Sequence, residues 1–204
     1  MLFEDTYLTI KEPSQGLYKD KGSKFSSYAF PVNNENEVKQ RLAEIKKLHP
    51  SATHHCYAFR LGADKQSFRA NDDGEPSNTA GKPILGQIQS KDLTNILIIV
   101  VRYFGGTLLG VSGLINAYKL AAADAITNAS IIEKTVNDVY EIHFDYILMN
   151  NVMRIIKEEE LQILSQESEL NCFITFSVRK NNSMNAFDKI SRLEGVEIKF
   201  SRTI

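Results

Sequence analysis

The sequence predicts an α+β protein in two parts, and three observations carry that reading. Residues 134–204 run strand, helix, strand, strand, helix, strand, which is the βαββαβ order of a ferredoxin-like domain. The stretch before them is rich in strand candidates and holds three amphipathic or apolar helices. The charge balance also shifts near residue 133. Residues 1–133 carry 15 basic and 14 acidic side chains and residues 134–204 carry 9 and 11, so +1 and −2 make the total of −1. The expected domains are therefore 1–133 and 134–204.

Each element follows from pattern. Thr6-Tyr7-Leu8-Thr9-Ile10 alternates as a strand does, Lys11–Gly16 with Pro13 reads as a turn, and Phe25–Val32 is a second strand. Glu35–Leu48 places Val38, Leu42, Ile45 and Leu48 on one helical face, and His49-Pro50 stops it. His55–Leu61 and Ser67–Ala70 are strands joined at Gly62-Ala63-Asp64. Residues 71–83, NDDGEPSNTAGKP, form a loop, and a helix follows with Ile84, Leu85 and Ile88 inward. Asn95–Val101 contains a continuous apolar run, so it is expected at the centre of a sheet covered on both faces. Gly110–Asn128 is a long helix with Leu114, Tyr118, Ala121, Ala125 and Ile126 on one face, and its alanines point to close packing. In the second part the strands are 138–144, 162–166, 171–178 and 196–200, with helices at 146–158 and 183–193.

Composition narrows the function classes. The 204 residues are 43% hydrophobic and 24% charged, which excludes a disordered or collagen-like chain and a disulfide-stapled mini-protein. A net charge of −1 excludes a polycation but not a local basic patch. Cys56 and Cys172 stand far apart with no zinc spacing and read as reduced thiols. The start of the chain carries Glu4 and Asp5 and no basic leader, and the longest apolar run, Ile96–Val101, is too short to span a bilayer. A cytoplasmic location with no membrane partner is expected.

Three stretches carry chemistry. Asp72, Asp73 and Glu75 bring three carboxylates into four positions, which suits Mg²⁺ or an acid/base pair, or equally a Pro76-terminated turn. Their spacing is not that of an EF-hand. Gly81-Lys82 opens a helix after a glycine-containing loop, but Pro76 and Pro83 occupy positions where a Walker A loop needs Gly and Ser/Thr. What remains is a helix start with Ser77 or Thr79 as cap and Lys82 nearby, able to attract an anion or to be a plain capped helix. Arg102-Tyr103-Phe104-Gly105-Gly106 leaves the end of the central strand, where ligand sites gather in open α/β sheets. The glycines at 105, 106, 110 and 113 do not make a dinucleotide fingerprint but let backbone approach a partner closely. Arg102 could pair with phosphate while Tyr103 stacks a base, or Arg102 could pair with the acidic loop. In His54-His55-Cys56 strand alternation puts His54 and Cys56 on one face and His55 on the other, a poor geometry for a dyad of neighbours. No GxSxG, HExxH or kinase signature is present.

The runs DDGEPSNTAGKPIL (72–85) and VVRYFGGTLLGVSGLINAY (100–118) resemble the signature of the IMPACT/YigZ family. Lys24-Phe25, His49-Pro50-Ser51-Ala52 and His54-His55-Cys56-Tyr57-Ala58 are similar to it in spacing, so the resemblance covers essentially the whole chain. It implies an N-terminal βα sandwich of the ribosomal-protein domain-2-like class and a C-terminal domain like the last domain of the translocating elongation-factor GTPase. The resemblance also extends to eukaryotic regulators of translation that bind a partner through an additional N-terminal domain, so that partner is not expected to carry over. The family loop usually reads Gly-Thr-Ala-Gly, and here its first position is Asn78.

Three functions follow as expectations. The first is a translation-associated regulator, without cofactor or metal, binding RNA, the ribosome or a translation factor. Its ligand-binding residues are expected at Lys24, Asp72, Asp73, Glu75, Thr79, Gly81, Lys82, Arg102, Tyr103, Gly105, Gly106 and Gly110. Lys21, Arg60, Arg69 and Lys119 would extend its basic surface. The second is a Mg²⁺-dependent hydrolase or phosphate-processing enzyme using Asp72, Asp73, Glu75 and Arg102. The third is an interaction module in which the acidic residues 134–204 dock a partner.

Overall fold

The computed structural model describes residues 5–204; the acidic start of the chain, apart from Asp5, lies outside the described residues. Two compact units emerge, one of residues 7–134 and one of residues 5–6 with 135–204.

The first unit contains β1 (Thr6–Ile10, shared with the other unit at its first residue), β2 (Ser14–Asp20), β3 (Ser23–Pro31), α1 (Glu35–Leu48), β4 (His54–Leu61) and β5 (Ser67–Asn71). It continues with α2 (Gly81–Ser90), β6 (Ile96–Tyr103), α3 (Gly110–Thr127) and β7 (Ile131–Thr135), which pairs with β1. Five strands form one sheet in the order β2-β3-β6-β4-β5, and every adjacent pair is antiparallel. The central strand β6 is buried on both faces, as its unbroken apolar run requires. Leu97, Ile99 and Val101 pack with Val38 and Ile45 of α1. Ile96, Ile98 and Val100 pack with Ile84 and Ile88 of α2 and with the alanine-rich face of α3.

Local chemistry explains the boundaries. The Asn34 side chain accepts the Glu37 amide at 3.0 Å and caps α1, whose first turn is acidic and whose last turn is basic. Leu48, expected on its buried face, is 64% exposed because it sits beyond the edge of that core. The expected 11–16 turn is shorter, since β2 begins at Ser14. This edge strand has little apolar alternation and is held instead by α3: Leu17 N donates to the Asp124 carboxylate at 2.8 Å and Ser14 Oγ to the Ala125 carbonyl at 2.8 Å. A Cβ on Gly16 would stand 2.4 Å from the Ala125 nitrogen, so only glycine permits that approach.

The second unit contains β8 (Asn137–Asp145), α4 (Met149–Glu158), β9 (Gln162–Ser168), β10 (Asn171–Arg179), α5 (Ser183–Ser191) and β11 (Val196–Thr203). The sheet order β11-β8-β10-β9 is antiparallel throughout, the ferredoxin-like arrangement. Both helices cover one face, where Ile142, Val152, Ile156, Ile174, Phe176 and Ile190 form the core. Asp5 joins this unit through Arg179, whose Nε and Nη2 reach its carboxylate at 2.5 and 2.9 Å.

Candidate functional site

The acidic loop folds onto the end of β4 and β6. Asp72 turns its carboxylate to the start of α2, where Oδ1 accepts the amides of Ala80 and Gly81 at 3.0 and 2.8 Å and Oδ2 accepts that of Asn78 at 2.9 Å. The cap expected from Ser77 or Thr79 is therefore supplied from upstream, and the N-terminus of α2, Gly81 included, is already occupied by an anion of the chain itself. Thr79 is buried and donates to the Pro76 carbonyl at 2.6 Å. Lys82 is exposed beside it. Asn78 has φ +63°, so the position does demand left-handed backbone, and Asn supplies it.

Asp73 accepts the His55 amide at 2.6 Å, and its carbonyl lies 2.8 Å from His54 Nδ1. Glu75 points inward and is 8% exposed. Its Oε1 accepts both Arg102 Nη1 at 2.6 Å and the Tyr118 hydroxyl at 2.8 Å, with His54 Nε2 at 3.8 Å. Cys56 Sγ lies 3.0 Å from the Asp72 carbonyl and 3.3 Å from the Tyr118 hydroxyl oxygen. Burial pushes the Cys56 thiol and the Tyr118 phenol well above their usual ranges. The row Cys56–Tyr118–Glu75–Arg102 is thus a buried network, neutral at Cys56 and Tyr118 and closed by the Glu75–Arg102 ion pair. Sequence reasoning placed Tyr118 in the core, where its ring belongs. The hydroxyl at the tip is what the pattern does not show.

Asp72 and Glu75 are committed to internal partners, and Asp73 caps a strand amide. Among the described residues no group of three or more His, Cys, Asp or Glu side chains is placed to hold a metal ion. Of the two pairings open to Arg102, the structure shows the one with the acidic loop. Arg102 keeps an unspent donor, because its Nε is buried without a hydrogen-bond partner. Its guanidinium carbon stands 5.5 Å from the ring centres of both Phe25 and Phe104.

The other face of the sheet holds Lys24 and Tyr103. Alternation along β3 and β6 puts Lys24 and Tyr103 opposite each other and away from Arg102. The Tyr103 hydroxyl meets His49 Nδ1 at 2.8 Å, and His49 Nε2 meets the Tyr28 hydroxyl at 2.6 Å. Burial, with the nearby charges of His55 and Lys24, holds the His49 imidazole below its ordinary value. Tyr103 is therefore engaged by its hydroxyl, and the exposed aromatic at this sheet end is its neighbour Phe104, 46% exposed.

The glycine turn behaves in two ways. A Cβ on Gly105 would lie 1.9 Å from the Gly22 carbonyl carbon, so the close approach expected there is made by the chain's own β2–β3 turn. Gly106 (φ +83°) and Gly110 (φ +72°) have open space instead and are exposed. α3 begins at Gly110 with no side-chain cap, and Leu108 and Val111 are 82% and 60% exposed. The basic surface is sparser than expected: Arg102 is buried and Arg60 lies 3.4 Å from Asp92. The open α/β rule that pointed to the carboxyl end of β6 does not apply to this sheet, which is antiparallel.

Residues 21–126 match the Impact N-terminal domain. The chain is 30% identical over 190 residues to "IMPACT family member YvyE" of Bacillus subtilis, covering 87% of this chain and 88% of that protein. It is 30% identical over 176 residues to "IMPACT family member YigZ" of Escherichia coli, covering 85% of each. A crystal structure of a hypothetical protein superposes with a TM-score of 0.76 at 24% identity, covering 98% of this chain and 99% of that one. That likeness extends the shared fold to both units.

Proposed function

We propose a function from one premise: the chain belongs to the IMPACT family. Our reading is a cytoplasmic, translation-associated regulator that binds single-stranded RNA, on or off the ribosome, through the turn at 104–110. The observation that carries it is the exposed Phe104 lying against the Arg102 guanidinium beside an uncapped helix start. A base stacks on such an aromatic, a phosphate accepts from the backbone amides at the start of α3, and exposed Lys24, on the opposite face of the sheet from Arg102, adds charge at the same end. In this reading residues 1–133 act as the binding domain, Asp72 and Glu75 build the turns rather than touch ligand, and no cofactor is needed. What weighs against the hydrolase reading is that Asp72, Asp73 and Glu75 already accept hydrogen bonds from within the chain. No helix among the described residues is long and apolar enough to cross a membrane.

The test is fluorescence anisotropy with labelled single-stranded RNA at low and moderate salt. Binding is expected at low salt, with a steep loss as salt rises. Phe104→Ala is expected to weaken it by roughly tenfold, the loss of one stacked base. Absence of binding at low salt together with absence of ribosome co-sedimentation overturns the reading.

A further inference from the structure

The second unit carries a feature that the RNA reading does not use. At the end of its sheet where β8 finishes, a cleft of about 430 Å³ is lined by His143, Phe144, Asp145, Asn171, Gly195 and Glu197. Strand register assembles it: Asn171 pairs with Asp145, and Glu197 pairs with His143. The His143 ring packs on Phe173 with centroids 4.7 Å apart, giving the cleft an aromatic flank. Two carboxylates line it and no lysine or arginine does.

An apolar rim adjoins this cleft. The Tyr146 amide donates to the Leu170 carbonyl at 3.2 Å, which brings the turn after β8 against the β9–β10 turn. Tyr146, Ile147 and Leu170 are 60%, 85% and 88% exposed. Scattered surface apolar side chains need no explanation, but an aromatic and two aliphatic ones on adjoining turns beside a cleft mark an interaction surface. Asp145 and Glu197 decide the class of occupant. They repel nucleic-acid phosphate, and an isologous pairing of two copies would set the same acidic cleft against itself. They attract a cation, and the rim beside them accepts an aliphatic side chain.

We propose that this end of the ferredoxin-like unit docks a basic, amphipathic segment of a protein partner, with a lysine or arginine in the cleft between Asp145 and Glu197 and an adjacent aliphatic side chain on Tyr146, Ile147 and Leu170. The unit's composition agrees, with 11 acidic against 8 basic residues in 135–204. The surface is independent of the RNA reading, and either can fail without the other.

The experiment pans short random peptides on the full chain, then sorts them against two full-length variants, Asp145→Asn/Glu197→Gln and Leu170→Ser. All three positions are exposed, so the variants are expected to keep the wild-type circular dichroism spectrum. Peptides that distinguish wild type from variants are expected to carry lysine or arginine next to leucine, isoleucine or phenylalanine. Their affinity is expected to fall about tenfold in the double carboxylate variant, the sum of two solvent-exposed charge contacts. The proposal is overturned if no peptide distinguishes the variants, if those that do are acidic or uncharged, or if single-stranded RNA displaces them from this end.

Discussion

Arg102 and Glu75 form a buried ion pair, Nη1 to Oε1 at 2.6 Å, with side chains 6% and 3% exposed. Glu75 reaches Arg102 from a loop 27 positions away and so fastens residues 71–80 to the central strand. Removing one partner strands the other charge away from water. Glu75→Ala is expected to destabilise the first unit by about 3–5 kcal/mol in urea unfolding. The paired change Glu75→Leu/Arg102→Met is expected to cost clearly less, and equal costs would show that the charges do not depend on each other.

Asn78 tests the backbone requirement of the same loop. Its φ of +63° is tolerated by Asn and free for Gly, but a β-branched residue there is strained. Asn78→Gly is expected to leave the melting temperature nearly unchanged, and Asn78→Val to cost about 1–2 kcal/mol. A melt of Asn78→Val that matches wild type would contradict the conformation.

Asp72 holds three backbone amides, so Asp72→Ala leaves those of Asn78, Ala80 and Gly81 without their acceptor. A loss of about 1–3 kcal/mol is expected. Amide hydrogen exchange should quicken selectively at those three residues and in the first turn of α2.

His49 sets a pH dependence. Both ring nitrogens bond tyrosine hydroxyls, and burial first, then the charges of His55 and Lys24, lowers its pKa from 6.5. A base with a depressed folded value takes up its proton more readily when unfolded. The His49 contribution is therefore fully present above 6.5 and is lost as pH falls from there toward the folded value. Melting temperatures between about pH 7.5 and about pH 5.5 should fall more steeply for wild type than for His49→Gln, which keeps a donor and an acceptor.

Cys56 is 0% exposed and its thiol is pushed up by burial. Native protein at mildly alkaline pH is expected to leave it unmodified by an alkylating reagent, and denatured protein to react fully. Rapid native alkylation at Cys56 would show that the network opens.

Much of this molecule follows from sequence alone. Helical periodicity placed α1, α2 and α3, the unbroken apolar run put β6 at the centre, and element order announced the ferredoxin-like sheet, because those patterns record one element facing one core. Alternation likewise separated His54 and Cys56 from His55. Tertiary structure alone decided which polar groups meet. Glu75 could have been a metal ligand or a base by its neighbours in the chain; what folding adds is that Arg102 and Tyr118 meet at one of its oxygens. Lys24 and Arg102 look like one basic patch until sheet parity sends them to opposite faces. β2 is not legible because it lacks apolar alternation: it pairs with β3 at the sheet edge, and its anchors on α3, the Asp124 carboxylate and the Ala125 carbonyl, lie more than a hundred residues away. Periodicity is a local property of the chain, whereas the pairing of charges, hydroxyls and orphan donors is a property of distances that exist only after the chain has folded.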